Sequence, residues 1–569
     1  MVLELLSSAV VFVLVAFSLA WPIASRLALD PAEKLAASVV LSLLGAYLAA
    51  GAVYVLHLPA ATLWLLPVLA AVGLATGMRA LTTLLRDHDV RALLLGQLLV
   101  TGWCVGWLAT IVSYSGGGWT GDWFEHWERT QFFLEHWPID TQFLGFEALS
   151  ARPPLANLVT GALLAPAGAT FAGYQLVTAL LNSLAFLPAA LLARRFSARG
   201  TAGTVIAVCA ILLMLNPSFL ENATFAWTKL IAAFFILSGL YFFLRMQDSA
   251  PPAAAAPLCA ASLAAGLLAH YSAGPYVVVL AIAWLGLNRA RWRDPAGWRQ
   301  AAQLSLVGGA ILATWFAWSL AVYGPHTTFF SNSSVAVPEA RQGNQLVKVA
   351  LNLRDTLIPH FLRTVDPQLI AQRSPWGYAR DWCFQVYQVN LLLMFGSVAW
   401  LALGRELGRA GRDAPARSRW FWLWFAGGTA VLGVAVHGAR DHWGLAHICL
   451  QTLLVLGLAV LAARWPALSR GWRRALIAGA FLDFGLGIVL NFGVQSFALD
   501  RWFAAGRPPL DLLTSYSGSA LMNLQGRLMH HLPFLSDLFP GSGGLVLALL
   551  AVILTLALFR AASAARRSD

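Results

Sequence analysis

The sequence predicts an all-α, polytopic integral membrane protein. Three observations predict this fold class. Of the 569 residues, 59% are hydrophobic and only 11% are charged, whereas soluble domains typically carry about 25% charged residues. Apolar blocks recur along the whole chain, and no polar block is long enough to form a separate domain. The lipid bilayer is therefore the expected solvent.

The lengths of the apolar stretches predict about 13 to 15 transmembrane helices, because each span needs about 20 apolar residues. The predicted spans are 5–24, 35–56, 60–78, 92–114, 173–193, 201–215, 223–244, 301–323, 385–404, 418–437, 443–463, 474–494 and 543–560. The first span has no basic segment before it, so we expect a retained helix rather than a cleaved signal peptide. Region 257–288 holds two short apolar runs and predicts two short helices or a re-entrant pair. Segment 153–171 is interrupted by prolines, and we expect a helix in the outer half of the bilayer.

Arginine clusters predict the orientation of these spans. The clusters are Arg79, Arg86 and Arg91; Arg194, Arg195 and Arg199; Arg289, Arg291 and Arg293; Arg405, Arg409, Arg412, Arg417 and Arg419; Arg464, Arg470, Arg473 and Arg474; and Arg560, Arg566 and Arg567. Because basic loops stay in the cytoplasm, these clusters predict an outer N-terminus and a cytoplasmic C-terminus. The net charge of +12 follows from this bias, so nucleic acid is not an expected partner.

This orientation places three long polar segments outside: 115–152, 324–384 and 495–542. The five cysteines form no C-x-x-C pair, so the sequence predicts neither a disulfide framework nor a zinc site. The chain then divides into N-terminal helices 1–91, a central module 92–323, an outer loop 324–384 and a C-terminal module 385–569.

The first candidate site lies in the acidic outer segment. Asp122, Glu125 and Glu128 recur every three residues, so in a helix they share one face, with Arg129 beside it. One interpretation is a set of catalytic carboxylates. The alternative is an amphipathic interfacial helix whose acidic face is solvated. In that alternative, tryptophans at a spacing of four sit at the lipid headgroups; they are Trp119, Trp123 and Trp127.

Three further candidates are basic groups near the ends of predicted spans. Lys229 lies inside a span, where a cation is expensive unless it pairs or faces a wet cavity; the alternative is a side chain that reaches back to the surface. His270 and Tyr271 interrupt two apolar runs, and the alternative there is a histidine that caps a helix end. Arg440 and His442 predict a phosphate clamp, unless the arginine simply pairs with its neighbouring aspartate.

The order of several short motifs resembles the GT-C superfamily of membrane glycosyltransferases. The motifs are Arg152-Pro153-Pro154-Leu155 after the acidic loop, Ala193-Arg194-Arg195-Phe196 at the end of one span, and Leu215-Asn216-Pro217 at the end of the next. The sequence is most similar to the bacterial relatives of the protein O-mannosyltransferases and the lipid A aminoarabinose transferase, a glycosyltransferase family 39-like group. The resemblance covers roughly 92–290 and is looser over 301–460.

The resemblance implies a GT-C-like helical core with juxtamembrane helices on the outer face of a bacterial inner membrane. It implies a polyprenyl-phosphate sugar as donor, a lipid, glycan or protein as acceptor, and inversion at the anomeric carbon. Asp122 matches the acceptor-side acid of the family, with Glu125 as a possible partner, and Glu221 matches the acid of the second outer loop. Lys229, His270, Tyr271, Arg440 and His442 would then contact the donor phosphate.

The resemblance implies no organic cofactor. Some relatives use a divalent cation (Mg²⁺ or Mn²⁺), which this sequence neither requires nor excludes.

Other functions compete with this one. An O-antigen ligase or polymerase that uses a polyprenyl-diphosphate donor would draw on outer-loop basic residues, namely Arg354, His360, Arg363, His530 and His531. A transporter or lipid flippase should show repeated halves with interrupted helices, and we find no convincing internal repeat. A purely structural scaffold is the last alternative.

Overall fold

The computed structural model describes residues 2–112, 114, 122–143, 147–197, 200–331, 416–436, 451–489 and 532–539, together with a few isolated positions. These residues are overwhelmingly helical, and no β-strand occurs among them. The predicted all-α fold class is therefore confirmed. The predicted spans 385–404 and 543–560 lie outside the described residues, so the total of 13 to 15 helices stays a prediction.

Nineteen α-helices are numbered here in chain order within the described residues. The first ten are α1 Val2–Ser18, α2 Trp21–Ala24, α3 Pro31–Val55, α4 Leu65–Thr76, α5 Met78–Arg86, α6 His88–Leu108, α7 Asp122–Glu135, α8 Leu155–Leu164, α9 Phe171–Ser183 and α10 Phe186–Phe196. The others are α11 Ala202–Leu215, α12 Pro217–Thr224, α13 Lys229–Arg245, α14 Ala255–Ala269, α15 Gly274–Leu287, α16 Pro295–Phe330, α17 Ala416–Val436, α18 Gln451–Arg464 and α19 Arg470–Ile488.

Within this part of the chain, five helical stretches are long and apolar enough to cross a membrane. They are Val2–Ala24, Pro31–Val55, His88–Leu108, Phe171–Phe196 and Pro295–Phe330. Two sharply bent pairs, α4 with α5 and α11 with α12, bring the number to as many as seven. These stretches coincide with spans predicted from apolar length alone.

Side-chain caps explain where several of these helices begin. Asp30 precedes α3, and its carboxylate accepts from the backbone N–H of Glu33 at 2.9 Å, while the Glu33 carboxylate accepts from the backbone N–H of Asp30 at 3.1 Å. Pro31 follows at the first helical position, where its missing N–H costs nothing. Asp87 caps α6 in a similar way through the N–H of Val90. The local sequence therefore fixes these helix starts.

Two short elements match expectations for this region of the chain. Helix α8 has ten residues, or about 15 Å, which is half the thickness of a bilayer core. Region 257–288 forms two short helices, α14 and α15, separated by residues 270–273. The placement of α8 in the outer leaflet stays a prediction.

Helix α16 is longer than predicted. The predicted outer loop begins at residue 324, but the helix continues to Phe330 beyond a kink at Gly324, whose φ is 73°. Pro325 follows, so the positive φ of the glycine and the missing N–H of the proline together explain the kink. Across it, the hydroxyls of Ser319 and Thr328 lie 2.8 Å apart. The helix therefore ends seven residues later than the predicted span, and the kink lies at the predicted end of that span; the start of the outer loop stays a prediction.

Helix α13 lies in the centre of the described part and positions the candidate site. It is buried from Lys229 to Phe243 and packs against α9, α10, α14 and α18. Helix α7 packs on α8. The site therefore forms where the start of α13 meets α7, α8 and α9.

Candidate active site

Helix α7 begins at Asp122, the residue matched to the acceptor-side acid; its side chain lies outside the described part of the chain. The next residues are buried: Trp123 and Glu125 are each 1% exposed. Trp123 packs in tilted geometry against the rings of Tyr114 and Phe171. The predicted alternative, a solvated acidic face with Trp123 at the headgroups, is therefore wrong for these two residues, because protein rather than water or lipid covers them.

Glu125 is held by two arginines. The Arg129 Nε donates to Glu125 Oε1 at 2.7 Å, and the Arg152 Nε and Nη2 lie 3.4 Å from the two carboxylate oxygens. Arg129 also donates to the backbone oxygens of Leu149 and Ala148 at 2.7 and 3.0 Å. Arg129 therefore fastens α7 to the segment that precedes α8.

The two arginines keep Glu125 ionised in spite of its burial. Burial opposes ionisation, but the charges of Arg152 and Arg129 outweigh it and lower the pKa of Glu125 to about 2. A carboxylate with so low a pKa is a weak general base near neutral pH. The geometry thus favours Glu125 as the group that orients Arg152. Arg152 is the more accessible of the two arginines, because its side chain is 17% exposed and that of Arg129 is 2% exposed.

A polar cleft opens beside Glu125, between α7, α8, α9 and the start of α13. The cleft is narrow, because its cavity volume is about 10 Å³, which is room for about one water molecule. Its polar lining is neutral; it consists of His126, Thr130, Asn157, Thr160, Tyr174, Thr178, Asn182 and Thr228. The Asn157 Nδ2 donates to the His126 carbonyl at 3.1 Å, and burial lowers the pKa of His126 to about 3. His126 is therefore uncharged near neutral pH.

Lys229 begins α13 at the edge of this cleft. It is 6% exposed, and its ammonium lies 3.4 Å from the centroid of the Trp227 ring, a cation–π contact. The expected alternative, a side chain that reaches the surface, is wrong. Ala226 has a positive φ of 63°, and the Asn182 Nδ2 holds the following turn by donating to the Trp227 carbonyl at 2.9 Å. A lysine at a helix N-terminus adds to the positive end of the helix dipole, which favours anions.

His270 and Tyr271 approach the same place from the break between α14 and α15. The His270 Nδ1 accepts from the Ser272 N–H at 3.0 Å, so the predicted capping role is confirmed for that atom. His270 also lies within electrostatic reach of Lys229, Arg152 and Glu125. The Tyr271 hydroxyl donates to the Ser150 carbonyl at 3.2 Å. The structure thus brings together Glu125, Lys229 and the His270–Tyr271 pair.

Of the remaining predicted site residues, one lies near this cleft and two lie outside the described part of the chain. Glu221 lies on α12, within electrostatic reach of Tyr114. The Tyr114 hydroxyl donates to the Thr224 carbonyl at 2.9 Å, which ties α12 to the chain that leaves α6. Arg440 and His442 lie outside the described residues. So do the basic residues of the ligase alternative, which are Arg354, His360, Arg363, His530 and His531.

Sequence reasoning assigned no role to three residues that shape this site. Arg129 and Arg152 were noted only as part of patterns, although the spacing of four from Glu125 to Arg129 was a usable signal for an ion pair. Nothing in the sequence singled out Asn157, which joins α8 to α7. Within the described residues, no group of three His, Cys, Asp or Glu side chains could hold a metal ion, and the possible Mg²⁺ or Mn²⁺ stays an untested expectation.

Comparison with known protein families defines the class to which this arrangement is similar. Residues 103–324 match the family model described as dolichyl-phosphate-mannose-protein mannosyltransferase. The matched region contains Asp122, Glu125, Glu221, Lys229 and His270. The resemblance to GT-C membrane glycosyltransferases is thereby confirmed for this part of the chain.

Two solved structures are also similar, and no curated protein matches. The first is ArnT from Cupriavidus metallidurans bound to undecaprenyl phosphate, at 16% identity and a TM-score of 0.45, over 83% of this chain and 72% of that one. The second is ArnT from Cupriavidus metallidurans in the apo state, at 16% identity and a TM-score of 0.44, over 81% and 76%.

Proposed function

We propose that this protein transfers a sugar from a polyprenyl-phosphate donor to an acceptor at the outer face of the membrane, with Asp122 as general base. The family match supports a membrane glycosyltransferase. The observation that carries the finer proposal is the convergence of Arg152, Lys229 and His270, from three separate elements, beside the helix that begins at Asp122.

The charge of this convergence suits a lipid phosphate. Arg152 and Lys229 both lie within electrostatic reach of His270, so two cations from separate elements meet at one place. Two cations held close together favour the approach of an anion. Arginine offers a fork of donors to phosphate oxygens, and Arg152 is the arginine of the pair that remains partly exposed.

An apolar groove next to α7 suits the isoprenoid tail of such a donor. The groove encloses about 710 Å³ and runs between α3, α7, α8 and α16. Its lining is almost entirely hydrophobic and aromatic; it includes Tyr47, Leu48, Tyr54, Val55, Phe133, Leu158, Trp315 and Trp318. Phe133 belongs to the same helix as Glu125, two turns further on. Lipid tail and phosphate could therefore be held by neighbouring parts of one helix pair.

In the proposed reaction, an acceptor oxygen attacks the anomeric carbon, and the bond from that carbon to the phosphate oxygen breaks. Asp122 takes the proton of the acceptor, which is worth roughly 10²–10⁴-fold in rate. Arg152, Lys229 and the His270 ring stabilise the charge that develops on the departing polyprenyl phosphate. Attack opposite the leaving group inverts the anomeric centre.

The decisive experiment compares Asp122→Asn with the wild type. Full-length protein in lipid nanodiscs receives a labelled polyprenyl-phosphate sugar and an envelope extract as acceptor source. Released polyprenyl phosphate is measured, because it forms whichever acceptor takes the sugar. We expect Asp122→Asn to lower kcat by about 10²–10⁴-fold, while donor binding and the unfolding midpoint stay near wild-type values.

Asp140→Asn is the matched control, because Asp140 is an exposed acid of the same outer segment; it should retain wild-type turnover. Wild-type turnover by Asp122→Asn would remove Asp122 from the mechanism. Turnover only with diphosphate-linked donors, with polyprenyl diphosphate as the released product, would favour the ligase alternative instead.

A further inference from the structure

A short segment from near the C-terminus packs beside the candidate site. Residues 532–539, called here the docking segment, form one turn of 3₁₀ helix at Leu535–Leu538. Phe534, Leu535 and Ser536 are 4%, 3% and 4% exposed. The Asp537 carboxylate accepts from the Phe534 N–H at 2.9 Å, which fixes the shape of the turn.

Two hydrogen bonds join the docking segment to residues far away in sequence. The Leu535 N–H donates to Gln175 Oε1 at 2.9 Å, across 360 residues. The Ser536 hydroxyl donates to the Ile111 carbonyl at 2.7 Å, across 425 residues. Gln175 also donates through Nε2 to the Tyr114 hydroxyl at 2.9 Å. The segment is thus bonded to α9 and to the chain that leaves α6.

Ring contacts carry the docking segment to the first turn of α7. The centroid of the Phe534 ring lies 5.2 Å from that of Phe171, 5.6 Å from that of Tyr114 and 6.3 Å from that of Trp123. Trp123 directly follows Asp122. The start of α7 therefore rests on an aromatic cluster that is completed by Phe534.

We propose that the docking segment positions the start of α7, and with it the carboxylate of Asp122, by packing Phe534 into this aromatic cluster and bonding Gln175 and Ile111. This inference rests on the proposed function, because it gives Asp122 the role of base. Phe534 is then a positioning residue that acts through Trp123 and Tyr114. A misplacement of about 1 Å at a reacting group can cost up to about 10²-fold in rate, so such support affects turnover.

The test compares Phe534→Ala, Phe534→Leu and the control Phe243→Ala. Phe243 is 2% exposed and lies 14 residues, or about 21 Å, along α13 from Lys229. We expect Phe534→Ala to lower kcat about 10-fold with a donor KM within about 2-fold of wild type, and Phe534→Leu to recover most of the loss. Phe243→Ala should lower the unfolding midpoint without this selective loss of kcat.

Hydrogen exchange of the full-length protein provides a readout that needs no activity. Backbone amides of residues 122–128 should exchange at least about 5-fold faster in Phe534→Ala than in wild type, because local opening sets their protection. Their exchange rate in Phe243→Ala should equal that of wild type. If Phe534→Ala fails to fold, Ser536→Ala removes one hydrogen bond and replaces it in the test. Unchanged exchange in α7, or equal loss of kcat in Phe534→Ala and Phe243→Ala, would overturn the proposal.

A double-mutant comparison links the segment to Asp122. If Phe534 acts through that carboxylate, adding Phe534→Ala to Asp122→Asn should not lower the residual turnover further, and a full additional 10-fold loss would overturn the link. Failure of the proposed function looks different: Asp122→Asn would then retain wild-type turnover, while the hydrogen-exchange result would still decide whether the docking segment holds α7.

Discussion

Two clusters of charged side chains lie at opposite ends of α13 and differ in how their charged groups are arranged. At the C-terminal end is the Arg245 cluster, in which every carboxylate has an arginine partner. Its ion pairs are Asp30 with Arg194, Asp89 with Arg194, Glu33 with Arg245, Asp248 with Arg195 and Asp248 with Arg245. Glu33 is fully buried and also accepts from the Tyr241 hydroxyl at 2.8 Å.

At the N-terminal end is the Lys229 cluster, formed by Lys229, Arg129, Arg152, Glu125 and Glu147. The Arg245 cluster fastens four helices, because an arginine pairs with each of its carboxylates. In the Lys229 cluster, Arg152 and Lys229 come from separate elements and both lie within electrostatic reach of His270, next to a narrow cleft that His126 and Thr228 line. The comparison teaches that buried ion pairs alone do not mark a site, whereas cations that converge from separate elements beside a cleft do.

The largest expected effects come from the buried carboxylate of each cluster. Glu125→Gln should lower the free energy of unfolding by about 3 to 5 kcal/mol, because it leaves the buried Arg129 without the carboxylate to which it donates. Glu33→Gln should lower it less, because Arg245 is partly exposed and keeps Asp248 as a partner. Unfolding in mixed micelles measures the loss. Glu135→Gln, an exposed acid at the end of α7, is the control and should change stability by less than about 0.5 kcal/mol.

If this comparison is right, the two carboxylate variants differ in turnover. The folded fraction of Glu33→Gln should keep wild-type turnover, and that of Glu125→Gln should not, since Arg152 loses its orienting partner. Equal activity in the two folded fractions would show that the Lys229 cluster is as purely structural as the other.

The sequence predicted much more of the fold than of the candidate site. Spans such as 35–56 follow from apolar length, and the break at residues 270–273 follows from the polar residues, glycine and proline there. The burial of Glu125 could not be foreseen, because acids at a spacing of three look like a solvated face. That burial depends on Arg152 and on two backbone carbonyls brought in by tertiary packing.

The next prediction contrasts the two ends of α13 directly. Lys229→Gln should weaken donor binding about 10- to 100-fold, as expected for the loss of one charge-assisted contact of about 1.5–3 kcal/mol. Arg245→Gln should lower stability and leave donor affinity within about 2-fold of wild type. Titration with polyprenyl phosphate measures the first quantity. A Lys229→Gln variant that weakens acceptor binding more than donor binding would argue against a phosphate role.

The contact between Phe534 and the start of α7 shows that tertiary context matters even more for residues that support the site without lining it. No local pattern relates a phenylalanine near the C-terminus to Trp123, since their contact spans over 400 positions of the chain. Apolar periodicity identifies the residues that are buried in a helix bundle but not their partners. The motif-level resemblance singled out Asp122, and the cost of a cation inside a span singled out Lys229; their roles stay predictions, and only the structure gives the residues that surround them.

The smallest expected effect is a pH dependence that belongs to the Lys229 cluster. Helix α7 is not one of the candidate spans, and His126 faces Glu125, Arg152, Arg129 and Asn157. Its pKa of about 3 lies below the ordinary 6.5. Below pH 6.5 the unfolded chain therefore binds a proton that the folded protein does not, and stability falls as the pH is lowered toward 3.

This single group can contribute at most about 1.4 kcal/mol per pH unit. Glu125 adds a loss of the same sign only below its ordinary pKa of 4.5, as the pH approaches about 2. In the window from pH 6.5 to 4.5, Glu125 contributes nothing, and the difference between wild type and a His126 variant reports His126. Unfolding midpoints at pH 7, 6 and 5 should fall less steeply in His126→Asn than in wild type, because the remaining histidines titrate in both proteins. Parallel curves would show that His126 keeps its ordinary pKa in the folded protein, and below pH 6.5 the cleft beside Lys229 would then carry one more positive charge than we assign to it.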